Sequence, residues 1–372
     1  MEKKHSLFDL IVTTVFIGIL LSCSVFYLIT CLVGQRYESA KACFDGTVIE
    51  GNSPIHRFER AVYQNDTSIT RIRNAQYRLF GIVEDENVFA GKNGFLFEVE
   101  NKECDYNYLA DYLGQLSFTD EEHAAIASVL EERRAFYDEQ GIAFLVVILP
   151  NAQTVYSENM PAYLGGIRET RLDRLEAALV ENGFTAFVSL SDDLTAYKSE
   201  GLLYNNTENS LNALGCFYTY RTVCGCFEDT VMAKTHLIER SDLSFYQHNT
   251  TGKAIARAAG LADVAQNLTV SLSNDTTLNY HVQIMSGGMA KTRLLPYETI
   301  NVSETPSLLL QFSDTWERLQ MEPYFSKTFL DVTYQTSLVH DEQVLKEAAP
   351  DAVIQFIYED ELSYLLPGSG LY

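Results

Sequence analysis

The chain has 372 residues, 47% hydrophobic and 12% aromatic, and its 50 acidic against 27 basic residues give a net charge of −23. This composition excludes a disordered chain and suits one large domain with a substantial core. The negative excess argues against a nucleic-acid partner, and against a strongly anionic glycan unless a local basic cleft or a metal intervenes.

The N-terminus reads as a separate unit, 1–34. After MEKKH, with its two lysines, come 25 residues without a charge, Leu10 to Gly34. As a helix that run reaches roughly 37 Å, enough to cross a hydrocarbon core of about 30 Å with some tilt. The lysine pair precedes it, so the expectation is a single-pass signal-anchor with the N-terminus cytoplasmic and the main domain outside. The run is too long for a cleaved signal peptide. Leu20-Leu21-Ser22-Cys23 faintly resembles a lipoprotein box, but the apolar continuation FYLITCLV argues against cleavage there.

Residues 35–80 read as a membrane-proximal connector built as helix, polar break, helix, and 81–372 as the main α/β domain. In NVFAGKNGFLFEVE the Asn93-Gly94 pair is a strong hairpin signal. Thr119-Asp120-Glu121-Glu122 opens a helix to Gln140 with a capping-box pattern, and Gly141 closes it. AFLVVILP (143–150) is a continuous apolar run, the mark of a strand buried on both faces of a parallel sheet. An amphipathic helix over Arg168–Asn182, a strand in TAFVSL and a short strand at Gly201–Tyr204 follow. Clustered Asn, Thr and Ser over 265–305 suggest inserted antiparallel strands. The end alternates strand SLLLQFSDT, helix WERLQMEPYFSK, strand FLDVTY, helix DEQVLKEAA and strand AVIQFIYE. Helix and strand in alternation predict a doubly wound α/β sheet, with ligands beyond the carboxyl ends of its strands.

Outside the apolar run there are five cysteines, Cys43, Cys104, Cys216, Cys224 and Cys226, an odd number whose pairing the sequence leaves open. Cys224, Cys226 and His236 lack a second ligand pair at usable spacing, so small helical residues are the ordinary reading and no metal or cofactor is expected. Six Asn-x-Ser/Thr sequons carry no argument in a chain this rich in Asn and Thr.

GKNGFLF (91–97), VVILPNAQTVYSENMPAYL, the 204–220 loop and LLLQFSDTW, followed by a helix and FLDVTY, together resemble the alginate O-acetyltransferase-like (AlgX/AlgJ-type, DHHW) family. The resemblance runs from about Phe58 to the C-terminus. It implies a permuted SGNH-hydrolase-like domain, flavodoxin-like and three-layered with a mainly parallel sheet, and a role in polysaccharide O-acetylation beside a membrane-bound O-acyltransferase. In that family the second loop supplies a Pro-Asn pair and a downstream Tyr, matched by Pro150, Asn151 and Tyr156. The third carries Asp-x-His-Trp-Asn, and alignment on Asn212 and Gly215 puts Glu208 at the Asp, Ser210 at the His and Leu211 at the Trp. The last carries Asp-Ser-Phe/Tyr, here Asp314-Thr315-Trp316.

These departures remove the family's base. Acyl transfer by this route needs a hydroxyl, an imidazole that takes its proton and a carboxylate that orients the imidazole. Thr315 retains the hydroxyl, but the Ser210 hydroxyl is no base near pH 7 and Glu208 has nothing to orient. The expectation is a catalytically impaired envelope protein, a pseudoenzyme that binds an exopolysaccharide or supports the acyltransferase. Two enzymatic alternatives use Thr315 with His248, in SFYQHNTTGK, or with Glu208 directly as base; a third reading is an envelope interaction module without a glycan site. For substrate the expected contacts are Asn151 (oxyanion donor or turn residue), Tyr156, Asp314 and Trp316 (sugar platform or packing residue), while Gly91–Phe97 reads chiefly as a structural hairpin.

Overall fold

The computed structural model describes residues 14–19, 21–22, 66–227, 230–233, 235–273, 280–284, 289–294, 305–313 and 315–369. The chain divides into two compact units, Met1–Ala75 and Gln76–Tyr372. In the first, residues 14–19 and 21–22 are helical and exposed, and a helix begins at Asp66. No helix among the described residues is long and apolar enough to cross a membrane. Most of the expected 10–34 span lies outside the described residues, as does the first connector helix.

The second unit contains strands β1 (Val88–Ala90), β2 (Leu96–Glu98), β3 (Glu100–Asn101), β4 (Tyr106–Asn107), β5 (Ala143–Leu149), β6 (Phe187–Ser189), β7 (Phe245–Thr251), β8 (Gln266–Leu272), β9 (Tyr280–Ile284), β10 (Met289–Leu294), β11 (Leu308–Phe312), β12 (Asp331–Gln335) and β13 (Ala352–Tyr358). Seven form one sheet in the order β6-β5-β13-β11-β12-β10-β9. The five from β6 to β12 are mutually parallel, and β10 and β9 extend them antiparallel. The last strand in the chain is therefore threaded between β5 and β11.

Alternation along the strands divides the core between the sheet's two faces. Leu145, Val147, Leu149, Ile354, Phe356, Leu310 and Phe312 pack with helices Ala213–Gly225 and Thr315–Thr328. Phe144, Val146, Ile148, Val353, Ile357 and Leu309 pack with helices Asp120–Glu139, Arg171–Glu181 and Glu342–Ala348. The result is three layers with the sheet in the middle. β13 and β11 are buried along their whole length and β5 from its second residue on, which explains why β5 is an unbroken apolar run and why β11 and β13 are apolar but for one glutamine each.

Local chemistry sets most boundaries. Thr119 caps its helix and Glu122 completes the box, as expected. The next helix starts at Arg171, not Arg168, because Thr170 forms a second box with Asp173 and fixes the first turn there. At Gly201–Tyr204 only the bridge Tyr204–Leu211 forms in place of a strand. The backbone there is satisfied locally: Leu203 N–H donates to the Tyr156 hydroxyl, and Asn212 N–H to Leu203 C=O. Residues 91–95 join β1 to β2, with Asn93 and Gly94 at φ 55° and 79°, the left-handed pair that a tight hairpin turn requires. The segment around His248 is strand β7, paired antiparallel with β8, not a loop.

Candidate functional site

Because β13 lies between β5 and β11, the carboxyl ends of these strands stand side by side. Asn151 follows β5 after Pro150, Glu359 follows β13, and Ser313 follows β11. Asn151 starts the short helix Ala152–Val155 and is wholly buried. Its N–H donates to Glu359 Oε2 at 2.7 Å and its side-chain amide to the Tyr106 hydroxyl at 3.3 Å; its Oδ1 accepts from Asn209 Nδ2 at 3.0 Å. Glu359 Oε2 also accepts from Thr154 Oγ1 at 2.7 Å, whereas Oε1 is buried without a partner among the described residues.

The surroundings of Glu359 are acidic. Asp111 accepts from the Tyr106 hydroxyl and, at 2.7 Å, from Arg171 N–H. Asp360 accepts from the Tyr108 hydroxyl at 2.5 Å and from Asn101 at 2.9 Å. The Arg171 guanidinium lies 4.7 Å from both the Tyr106 and Phe118 ring centres and donates to Ser363 Oγ and Asp360 C=O. Burial, then the charge of Asp111, pushes the Glu359 carboxyl up to about 8. Burial, then Asp360, pushes Glu98 up to about 7, and burial raises Asp111 as well.

The 204–212 loop docks on this strand end. Asn209 Oδ1 accepts from Ala152 N–H at 2.7 Å, and its Nδ2 lies 3.4 Å from the Tyr108 hydroxyl. Farther along, Ser210 Oγ donates to Glu208 Oε2 at 3.1 Å and accepts from Asn205 Nδ2 at 3.0 Å. Ser210 is only 4% exposed. Glu208 Oε2, Ser210 Oγ and Asn205 Nδ2 thus form one hydrogen-bonded cluster, in which Asn205 Nδ2 also reaches Glu208 Oε2 at 3.4 Å. From behind, Asn267 of β8 accepts from Thr207 Oγ1 at 2.9 Å, and Asn206 reaches Gly94 C=O of the hairpin at 2.8 Å. The fold therefore brings GKNG, the Pro-Asn turn and the Asn-rich loop into one assembly.

Tyr156 is 6% exposed; its hydroxyl accepts from Leu203 N–H at 2.9 Å and its ring packs 5.0 Å from Phe95. Thr315 opens the helix that follows β11, so its backbone stands at a strand's carboxyl end, but Asp314 lies outside the described residues. Of Thr315 and Trp316 only the helical backbone is described. His248 pairs across from Thr269 and stacks on Tyr246 at 4.9 Å, with Nδ1 buried and without a partner among the described residues. Cys104 is a buried thiol pushed up to about 11 by burial, Cys226 is an exposed one at the end of its helix, Cys216 and Cys224 are buried on that helix, and Cys43 lies outside the described residues. A cavity of about 380 Å³ lies elsewhere, lined by Arg133, Phe136, Tyr137 and His340.

Glu359, Asn209, Asp111 and the Tyr106/Tyr108 pair are the members of this site that sequence reasoning missed. Their signals were weak: a carboxylate pair directly after a buried strand, and tyrosines two apart in a short connector.

No family model matches the chain, and no curated protein matches it. Among solved structures it is similar to Bacillus cereus PatB1, at 12% identity and a TM-score of 0.53 over 76% of this chain and 98% of that one. A DHHW family protein from Eubacterium siraeum aligns at 13% identity and a TM-score of 0.49, over 68% of this chain and 89% of that one. The O-acetyltransferase domain of Pseudomonas putida AlgJ aligns at 14% and 0.44, over 75% and 92%. The fold is the one shared with PatB1.

Proposed function

We propose that this is a membrane-anchored, extracytoplasmic SGNH-like protein of the polysaccharide O-acetylation type, catalytically impaired, that binds a glycan or serves as accessory to a membrane-bound O-acyltransferase. The observation that carries this reading is the closed Asn205–Ser210–Glu208 cluster. Where the resembled family keeps an imidazole, a buried serine hydroxyl donates a hydrogen bond to Glu208 and accepts one from Asn205. A serine hydroxyl is far too weak a base near pH 7 to draw a proton from a nucleophile, and the loss of one triad member lowers kcat by orders of magnitude. The anchor rests on the uncharged run 10–34 and the lysines before it.

One observation favours a second reading, an active acetyltransferase or acetylesterase. The helix after β11 begins at Thr315, so this residue sits at a strand's carboxyl end, where such sheets place reacting groups.

Acetyl-ester hydrolysis by the full-length protein, measured beside Thr315→Ala and combined with glycan-array binding, separates the readings. The impaired reading expects no turnover above the buffer rate in either protein, and glycan binding by both. Turnover that disappears in Thr315→Ala establishes a live nucleophile. Neither turnover nor glycan binding leaves an accessory or interaction role.

A further inference from the structure

The two oxygens of Glu359 are unequal. Oε2 holds the strand-end turn through two donors, Asn151 N–H and Thr154 Oγ1, each at 2.7 Å. Among the described residues Oε1 has no donor, and the residue is 0% exposed. A carboxylate oxygen buried without a donor costs far more than a buried hydroxyl, so the proton belongs on Oε1. The groups facing Glu359 reinforce this. Asp111 from helix Tyr108–Tyr112 and Asp173 from helix Arg171–Glu181 add like charge. Tyr106 of β4 donates its hydroxyl hydrogen bond to Asp111, and Asp360 accepts from Tyr108 and Asn101. Arg171, a nearby cation, directs its two terminal nitrogens to Ser363 and the Asp360 carbonyl and lies over two aromatic rings, not toward Glu359 Oε1, while its Nε is buried without a partner among the described residues.

The turn held by Glu359 is also the dock of the 204–212 loop, since Asn209 bonds both Ala152 N–H and the Asn151 side chain. We propose that Glu359 is a proton-operated latch: protonated, it keeps the Asn151–Val155 turn and the 204–212 loop closed, and loss of the proton to solvent opens both. This rests on hydrogen bonding and burial alone, so it stands whichever way the acetyl-ester test falls.

The linkage has a definite sign. The folded-state carboxyl is raised from its ordinary value of 4.5 to about 8, so its stabilising contribution is full at low pH and is lost as pH rises through that window. Opening releases one proton, so the opening constant rises about tenfold per pH unit between those values. In hydrogen–deuterium exchange on the full-length protein, the amides of Asn151 and Ala152 are expected to gain that factor beyond the chemical acceleration. Glu359→Gln, which keeps the acceptor oxygen and cannot ionise, is expected to show the chemical acceleration only. Equal excess slopes in wild type and Glu359→Gln would overturn the proposal. Thr154→Val removes one donor from Oε2 but leaves the titrating group, so it is expected to keep the excess slope; its loss there would also overturn the latch. A protonated-carboxyl stretch in the infrared difference between wild type and Glu359→Gln, present inside the window and lost above it, gives a readout independent of exchange, and its absence from that difference would count against the proposal.

Discussion

Two buried polar clusters are attached to the same sheet, and they answer burial in opposite ways. Beneath helix Asp120–Glu139, β11 sets Gln311 in register with Gln355 of β13 and Gln335 of β12. Gln355 donates to Gln311 at 2.7 Å, Gln311 to Gln335 at 2.8 Å, and Arg133 closes the row on Gln355 Oε1 at 3.2 Å. At the strand ends, carboxylates take the place of amides, and Glu359 Oε1 has no donor among the described residues. An amide carries donor and acceptor together, so a row of them satisfies itself at any pH. An ionised carboxylate can only accept and a protonated one can also donate, so burying one ties local structure to a proton. The ladder is a fixed support, and the strand end is titratable.

This contrast can be broken from either side. The largest effect is expected for Gln355→Ala, which leaves Gln311 Oε1 and Arg133 short of partners and opens a void at the sheet centre. It should cost about 4 kcal/mol in denaturant unfolding. The cost should be the same at both ends of the pH window, and a cost that changes across it would sink the claim that the ladder is pH-neutral. Asn209→Ala removes the acceptor of a buried N–H and the donor to Asn151 Oδ1, and should cost about 2 kcal/mol. Faster proteolysis within 204–212, with the ladder still protected, would localise that loss to the strand end. Between about pH 5 and about pH 8 the wild-type melting temperature should fall relative to Glu359→Gln. Glu98, Asp111, Glu176 and Asp193 are also raised, so part of the absolute decline survives in the variant and the difference is the informative quantity. The smallest effect, about 1 kcal/mol, is expected for Thr119→Ala in the exposed capping box far from both clusters. It should leave the excess exchange slope at Asn151 untouched.

Much of the fold was legible because it is written in short-range chemistry. The run AFLVVIL announces a strand covered on both faces, Thr119 and Glu122 a helix start, and Asn93-Gly94 a turn with positive φ. Where the reading slipped, at Arg168 and at Gly201–Tyr204, a stronger cap or a tyrosine hydroxyl distant in sequence satisfied the backbone another way. The candidate site was legible only in part. Asn151, Glu208 and Ser210 were picked out by motif and order, but nothing near Asn151 in the chain points to Glu359, 208 residues away.

By itself, then, the sequence determined the α/β alternation, the elements that open and close by local caps, and the missing histidine between Tyr204 and Gly215. Only the tertiary structure decided which strand ends stand together, that Ser210 is closed off by Asn205 and Glu208, and that Glu359 is sealed among acids. The reason is physical: caps, turns and periodicity act over a few residues, whereas burial and the pairing of buried polar groups are properties of the packed sheet, in which the last strand of the chain lies between two others.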